Sequence, residues 1–187
     1  MNGTTVPLDV VIRRAEDGGD GFDCEPVGQL HQLSVWGRLP AAWAGHLAMH
    51  AFGQGLTIVS GRAVRTRMGA WAAELLLSSR SPSEPLRLDF LRMARRGPRA
   101  LPALPCPELT IVTQPARLAE GNLFARVQGR DTVGFLAEVL RRFAASHLQP
   151  RRFVLQTQED QVDDWFWLEP SEQGKTDPLT PAAPLLI

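Results

Sequence analysis

The amino-acid sequence contains an internal repeat whose two copies lie 92 residues apart (129 minus 37). The first copy includes "GRLPAAW", which begins at Gly37, and the second includes "GRDTVGF", which begins at Gly129. Trp43 and Phe135 then occupy matching apolar positions. A repeat of this length constrains the fold strongly, because each copy must build the same supersecondary unit. We therefore expect two similar units in this chain.

Each copy has the pattern strand, helix, strand, strand. "LHQLSVWG" alternates apolar and polar residues, which indicates a half-buried strand. "AAWAGHLAMHAF" carries apolar residues at helical spacing, and "LTIVSGRAVRTR" and "AWAAELLLSS" read as two strands around a tight turn at Met68–Gly69. The second copy gives "LFARVQG", "VGFLAEVLRRFAASH", "RRFVLQTQ" and "DDWFWLEP". Aligning Trp71 with Trp165 changes the offset from 91 to 94 in this region, so we expect the second hairpin to be three residues longer (94 minus 91).

Additional elements are predicted outside the repeated pattern. "LDVVIRR" before the first copy mirrors "ELTIVTQ" before the second, and we expect both to be strands beside the first strand of a repeat. The N-terminal strand is then available to complete the second unit, within its own chain or in a neighbouring one. Between the copies, Ser81, Pro82 and Glu84 form a capping box that predicts the start of a linker helix. A Pro-rich linker, "PRALPALPCP", follows.

The composition excludes several classes of protein. Apolar residues make up 44% of the chain, which is typical of a globular protein. Lys and Arg together number 20, as do Asp and Glu, so no global charge favours nucleic acid or a membrane surface. Cys24 and Cys106 form no metal-binding or redox motif, and we expect free thiols. With no signal peptide and no long apolar segment, we expect a cytoplasmic protein without a membrane span.

The corner between the first strand and the helix resembles a known family. "VWGRLPAAW…GQGLTIV" and "VQGRDTVGF…SHLQPRR" are similar to the loop motifs of the ACT-domain family, and the tandem arrangement resembles its glycine cleavage system transcriptional repressor type. The resemblance implies an α+β fold of two ferredoxin-like βαββαβ units packed as a pseudo-dimer. We expect the first unit over 1–97, a linker over 98–107, the second unit over 108–170, and an irregular tail over 171–187.

The resemblance implies a ligand site in the second loop, at Asp131, Thr132, Val133 and Gly134. The loop precedes a helix, whose first backbone N–H groups lack partners and attract a carboxylate. Glycine allows a ligand to approach the backbone closely. Asp131 is suited to bind an ammonium group, or alternatively to cap the helix.

The first loop departs from the family pattern, because Leu39 and Ala42 replace the favoured Asp and Gly. Arg38 and Leu39 remain the corresponding ligand-site candidates, together with Thr57 and Gln149, which follow the helices at the start of the next strands. We expect only the second loop to bind an amino acid in the manner of the family.

Two tryptophans indicate an interface. In "WFW", Trp165 and Trp167 share one face of a strand and Phe166 lies on the other, so both faces are apolar. Such a strand packs against a second sheet, a partner chain or a ligand, or simply within its own domain. We take Trp165 and Trp167 as partner-interface candidates, with a homodimer among the partners.

The remaining charged clusters favour solvent exposure over chemistry. His46 and His50 lie four residues apart on a helix, but no third ligand accompanies them, and we predict no metal and no cofactor. Nucleic-acid binding is not favoured, because the Arg-rich linker helix has few aromatic residues near it. We expect the acidic hairpin to face solvent; its members are Glu159, Asp160, Asp163 and Asp164.

The sequence therefore predicts a regulatory protein without catalytic residues. The family resemblance implies that it binds a small amino acid or related metabolite at the strand–helix loops and acts through a protein partner, a transcription factor or a metabolic enzyme. Two alternatives remain open: a ligand-free interaction module, which Leu39 and Ala42 favour, and a biosynthetic enzyme or accessory protein that uses His46, His50 or Asp131 as polar groups.

Overall fold

The computed structural model describes residues 6–79, 85–96, 108–115, 123–132 and 134–171, which form four helices and eight strands. In chain order these are α1 (Leu8–Glu16), β1 (Gly21–Val27), β2 (Leu30–Gly37), α2 (Trp43–Gly53), β3 (Leu56–Arg65), β4 (Trp71–Ser79), α3 (Phe90–Arg95), β5 (Leu109–Pro115), β6 (Leu123–Arg130), α4 (Phe135–Ala145), β7 (Leu148–Gln158) and β8 (Gln161–Pro170). A single 3-10 turn, Pro85–Arg87, precedes α3. The α+β class predicted from the sequence is confirmed.

All eight strands form one antiparallel sheet in the order β1-β2-β4-β3-β7-β8-β6-β5. The first repeat builds one half of the sheet and the second repeat the other, and the halves meet where β3 pairs with β7. Arg62 pairs there with Val154, and these two residues are 92 apart (154 minus 62). The junction therefore joins equivalent strands of the two copies about a local pseudo-two-fold axis.

The prediction for the N-terminal segment is wrong, because "LDVVIRR" forms the helix α1. Pro7 precedes the helix in an extended conformation, with φ −69° and ψ 149°. Val11 and Ala15, four residues apart, are buried on one side of the helix. In a strand Arg13 would lie on the same face as these two residues, whereas the helix brings Val11 and Ala15 together and leaves Arg13 exposed.

Neither edge strand of the sheet comes from the N-terminal segment. β1, with the sequence "GFDCEPV", pairs with β2 at one edge, and β5 pairs with β6 at the other. "ELTIVTQ" is therefore a strand beside the first strand of its repeat, as expected. The N-terminal segment does not complete the second half of the sheet, since β5 occupies that edge.

The strand register corrects the alignment of the two hairpins. Trp71 pairs with Gly37, and Val162 pairs with Gly129, so Trp71 corresponds to Val162 and not to Trp165. Five residues separate Arg65 from its partner Trp71, whereas four residues (158–161) separate Thr157 from Val162. The second hairpin is therefore shorter, not longer, and the alignment of Trp71 with Trp165 paired residues that are not equivalent in the sheet.

The linker helix is shorter than the sequence pattern predicts. Its expected capping box at Ser81 lies outside the described residues, and α3 begins only at Phe90. Asp89 caps this helix by accepting a hydrogen bond from the backbone N–H of Arg92 at 2.9 Å. The expected linker over 98–107 and nearly all of the expected tail, from 172 onward, also lie outside the described residues.

The helices divide between the two faces of the sheet. α2, α3 and α4 contribute to the main hydrophobic core, in which Leu47, Phe90 and Phe143 are fully buried. α1 covers the other face of the first half, where Val11 and Ala15 pack with Ala70 and Ala72. Within the described part of the chain, no helix is long and apolar enough to cross a membrane.

Candidate functional site

A cavity of about 210 Å³ lies at the junction of the two halves, on the face of the sheet that carries α2 and α4. Its walls come from α2 and β3 of the first half and from the loop after β6, α4, β7 and β8 of the second half. The lining residues are Ala48, Phe52, Leu56, Thr57, Ile58, Asp131, Thr132, Gly134, Phe135, Leu136, Leu155, Thr157, Val162 and Asp164. Four residues predicted for the ligand site (Asp131, Thr132, Gly134 and Thr57) are thus brought together at one cavity.

The loop between β6 and α4 has a defined hydrogen-bonding pattern. The N–H of Asp131 donates to the carbonyl of Asp160 at 2.6 Å, and the N–H of Phe135 donates to the carbonyl of Thr132 at 3.0 Å. Gly134 is the N-cap of α4, with φ +80°, a left-handed conformation that glycine adopts without steric cost. Since no side chain caps this helix, Asp131 does not serve as the cap.

Asp164 places a carboxyl group in the wall of the cavity. Only 3% of the residue is exposed, and Oδ1 accepts a hydrogen bond from the backbone N–H of Gln156 at 3.0 Å. Burial raises the pKa of Asp164 to about 7, and the nearby charges of Asp163 and Asp131 act in the same direction. The expectation that the whole acidic hairpin faces solvent is therefore wrong for Asp164.

Asp131 supplies the second carboxyl group of the cavity. Partial burial raises its pKa above the ordinary value, and the charge of Asp160 adds to this effect. The lining also includes three threonines, and Oγ1 of Thr132 is buried without a hydrogen-bond partner among the described residues. The polar part of the lining is therefore acidic and hydroxylic, with no Lys, Arg or His among the described lining residues.

Comparing the halves shows that the carboxyl group of Asp164 is specific to the second one. Asp164 pairs with Val127, and Ala73 pairs with the equivalent residue Val35. The first half thus has a methyl group at the position where the second half has a buried carboxyl group. The strand does not need a carboxylate there to form its ladder.

The equivalent region of the first half is filled by apolar side chains. Leu39, the counterpart of Asp131 (131 minus 92), is buried in the core. The ring of Trp43 lies 5.7 Å from that of Trp71 and 5.9 Å from that of Phe153, measured between centroids. The predicted ligand site at Leu39 is therefore closed.

Smaller side chains leave the cavity open in the second half. The residues that match Trp43, Trp71 and Phe153 are, in that order, Phe135, Val162 and Gly61. Aromatic rings thus fill one position while its pseudo-symmetric equivalent remains a cavity. The expectation that only the second loop binds a ligand remains a prediction.

Two other predicted site residues lie away from the cavity. Arg38 is exposed, and its backbone N–H donates to Oδ1 of Asp20 at 2.8 Å. The side-chain amide of Gln149 donates to Oε1 of Glu169 at 3.3 Å, and Arg65 donates to the same oxygen at 3.0 Å. Val133 lies outside the described residues.

Trp165 and Trp167 lie on the opposite face of the sheet, where both are half-buried. The Trp167 ring contacts Phe124 edge-on, at 5.4 Å between centroids, and the guanidinium of Arg152 lies 4.6 Å from the Trp167 ring. Arg126 lies 5.9 Å from the Trp165 ring. We call this surface, formed by Phe124, Arg126, Arg152, Trp165 and Trp167, the outer aromatic face. Among the described elements, α1 covers only the other half of this side of the sheet.

The histidines of α2 contact the backbone around the end of α3. Nδ1 of His46 lies 3.3 Å from the carbonyl oxygen of Ala94, and Nε2 of His50 lies 2.8 Å from that of Arg96. In the part of the chain that the structure describes, no group of three or more His, Cys, Asp or Glu side chains is arranged to hold a metal ion. These histidines connect α2 to the α3 segment.

The sequence contained a signal for Asp164 that the charge pattern obscured. Val162, Asp164, Phe166 and Leu168 alternate along β8 and share its buried face, so one carboxylate interrupts an apolar series.

Comparison of the chain with protein-family models, with curated proteins and with solved structures finds no match.

Proposed function

We propose that this protein is a non-enzymatic regulator that binds a small amino acid or related metabolite in the cavity between its two halves. One observation carries the proposal: an open cavity brings together Asp131, Thr132, Gly134 and Thr57 at the N-terminus of an 11-residue helix. The N-terminal N–H groups of α4 suit a ligand carboxylate, and Asp131 suits an ammonium group. A zwitterion satisfies both requirements.

The fold proposed for this function is a pair of ferredoxin-like units of the ACT type within one chain. In support, each half of the sheet has the same order: an edge strand, then the first, third and second strands of a repeat. The strand that precedes each repeat, β1 or β5, takes the edge position. We place the protein in the cytoplasm, as the sequence predicts.

Ligand binding in this cavity would couple the two halves. The cavity has walls from both, and α2 and α4 approach closely beside it: a Cβ atom placed on Gly45 would lie 3.5 Å from the Cα of Ala137. A ligand that binds one arrangement of these helices more tightly shifts the population toward it. A protein partner would bind one of these arrangements more tightly than the other.

The proposal is tested by a thermal-shift screen of the purified protein against the twenty amino acids and common metabolites. A ligand present at one hundred times its dissociation constant adds about 2.7 kcal/mol to the free energy of unfolding, which raises the melting temperature by several degrees. We expect a hit that disappears in Asp131→Ala and persists in Asp9→Ala, a change at an exposed residue of α1. A hit that persists in Asp131→Ala would contradict the site, and a flat screen would contradict the function.

The second candidate is an interaction module without a small-molecule ligand, which the outer aromatic face favours. Half-buried tryptophans on a sheet face are typical of surfaces that contact another protein. A flat screen combined with concentration-dependent self-association, lost in Trp167→Ala, would support this candidate and a homodimer. Turnover of a screening hit, rather than binding alone, would instead support an enzyme.

A further inference from the structure

We propose that Asp164 makes the cavity select its ligand by an ammonium group, with the rest of the ligand lying against apolar side chains. This inference rests on the proposed function, because it names the chemical class that the same cavity accepts. It adds a specificity-determining residue, Asp164 on β8, which lies outside the loop motif that begins at Gly129.

The lining favours a cation over an anion. Two carboxyl groups, from Asp131 and Asp164, face the cavity, and the described lining includes no basic side chain. The hydroxyl groups of Thr57, Thr132 and Thr157 can accept hydrogen bonds, and Oγ1 of Thr132 is a buried group still without a partner in the described structure. An ammonium group donates three hydrogen bonds and can satisfy both kinds of acceptor.

A buried carboxylate requires compensation for the water that it loses. Burying a charged group is unfavourable unless an opposite charge and hydrogen bonds accompany it. Within the described residues, the donor to the Asp164 carboxyl group is the N–H of Gln156 at 3.0 Å. A ligand ammonium would supply the missing positive charge on the cavity side.

The position of Asp164 is not explained by folding alone. Its counterpart in the first half is Ala73, in an equivalent position of the same kind of strand. That half shows that the ladder forms with alanine at this position, and there the equivalent volume contains the rings of Trp43 and Trp71. A carboxyl group and an open volume therefore occur together in one half and are both absent from the other.

The apolar part of the lining defines the remainder of the ligand. Phe52, Leu56, Ile58 and Leu136 line the same cavity as the acidic groups. A short branched alkyl group fits such walls, whereas a polyamine would bury a second charge against them.

Selection by charge links ligand binding to protonation. The ionisable groups that act on Asp164 are Asp131, from the loop, and Asp163, its neighbour on β8, and Asp160 acts in turn on Asp131. All are acidic, so they favour a proton on the empty site. The ligand ammonium replaces that proton, and ligand affinity therefore increases as the pH is raised from 5.5 to 8.

The experiment compares three probes of the same shape: isobutylamine, isobutanol and isobutyrate, each titrated into the full chain and followed by amide NMR. The amide of Gln156 is the reporter, because it donates to Asp164. At pH 8 we expect saturable binding of isobutylamine, with the alcohol and the carboxylate at least tenfold weaker. Asp164→Asn should weaken the amine at least tenfold and remove its pH dependence, whereas Asp9→Asn, a change at an exposed residue of α1, should alter its affinity less than twofold.

Each outcome has a defined meaning. Isobutyrate or isobutanol binding as tightly as the amine, or unchanged amine affinity in Asp164→Asn, would overturn ammonium selection while a hit in the amino-acid screen would leave the proposed function in place. No binding by the probes or by any screened metabolite would overturn both. If Asp164→Asn does not fold, Asp164→Ala reproduces the residue of the first half, and the pH dependence of the unmodified protein tests the same prediction.

Discussion

At the scale of single residues, the adjacent residues Asp163 and Asp164 have very different surroundings. Asp163 lies on the outer face, where its carboxylate accepts two hydrogen bonds from Arg126 at 2.7 and 2.6 Å. Asp164 instead points into the core side of the sheet and is 3% exposed. The alternation of a strand thus separates one solvated carboxylate from one buried carboxyl group at adjacent positions.

The stability of the protein should decrease as the pH rises through the titration of Asp164. Its pKa is raised from the ordinary value of 3.8 to about 7 in the folded chain, so between these values the folded state holds a proton that the unfolded state has released. Its contribution to the free energy of unfolding is therefore present below about pH 4 and falls by up to about 1.4 kcal/mol per pH unit until about pH 7. Urea unfolding at several pH values measures this decrease.

The matched variant separates Asp164 from the other acids. Asp164→Asn should remove this decrease and leave the variant more stable than the unmodified protein at pH 8. Glu138 acts in another range: the hydrogen bond from Arg141 is the main cause that lowers its pKa from 4.5 to about 2, so its contribution to stability is lost as the pH falls between these values. An unchanged slope in Asp164→Asn would show that the carboxyl group is solvated in solution.

At the scale of elements, the helix α1 shows why a short segment can be assigned wrongly. "LDVVIRR" suits a strand by its β-branched residues, and also suits a helix that presents Val11 and Ala15 on one side. The choice depends on what the segment covers: Trp36, Val64 and Ala72 form an apolar surface that a helix can bury. The helix and strand propensities of the segment do not include this contribution from residues distant in the sequence.

Removing apolar volume from α1 should therefore destabilise the protein. Val11→Ala removes a fully buried side chain at the contact with the sheet, and we expect a loss of about 2 kcal/mol in the free energy of unfolding. Val10→Ala, at a half-buried position, is the matched control and should cost less. Equal losses at the two positions, measured by urea unfolding, would contradict the helical packing.

The repeat itself was the part of the fold that sequence reasoning could reach. Apolar spacing located β6 and α4, which are amphipathic, and also β2 and α2, although both of these are buried on more than one side. The family resemblance also pointed to Asp131 and Gly134, which line the cavity, and their role in binding remains a prediction. The edge strand β1 and the buried role of Asp164 were missed, because both depend on which strand lies alongside and which side chain fills the volume next to it.

At the scale of the whole molecule, the two halves share one sheet and one core. Phe153 belongs to β7 of the second half, yet its ring lies 5.9 Å from Trp43 and 6.1 Å from Trp71 of the first. Together with the β3–β7 ladder, these contacts join the halves into one cooperative unit.

The chain should consequently unfold in a single transition. Far-UV circular dichroism and tryptophan fluorescence should give coincident urea curves, and Phe153→Ala should shift both together by about 3–5 kcal/mol. Phe52→Ala, at a residue that is 47% exposed, should cost much less. Two separated transitions would mean that each half retains its fold without the other.

The aromatic filling of the first half has a consequence for stoichiometry. A symmetric pair of separate subunits would present two identical binding positions and could respond to ligand with a sigmoidal curve. Here Trp43, Trp71 and Phe153 occupy one of the two positions. Under the proposed function, with one of the two equivalent positions filled by these rings, we expect ligand binding within one chain to follow a simple hyperbola and any steeper dose-response to originate between chains.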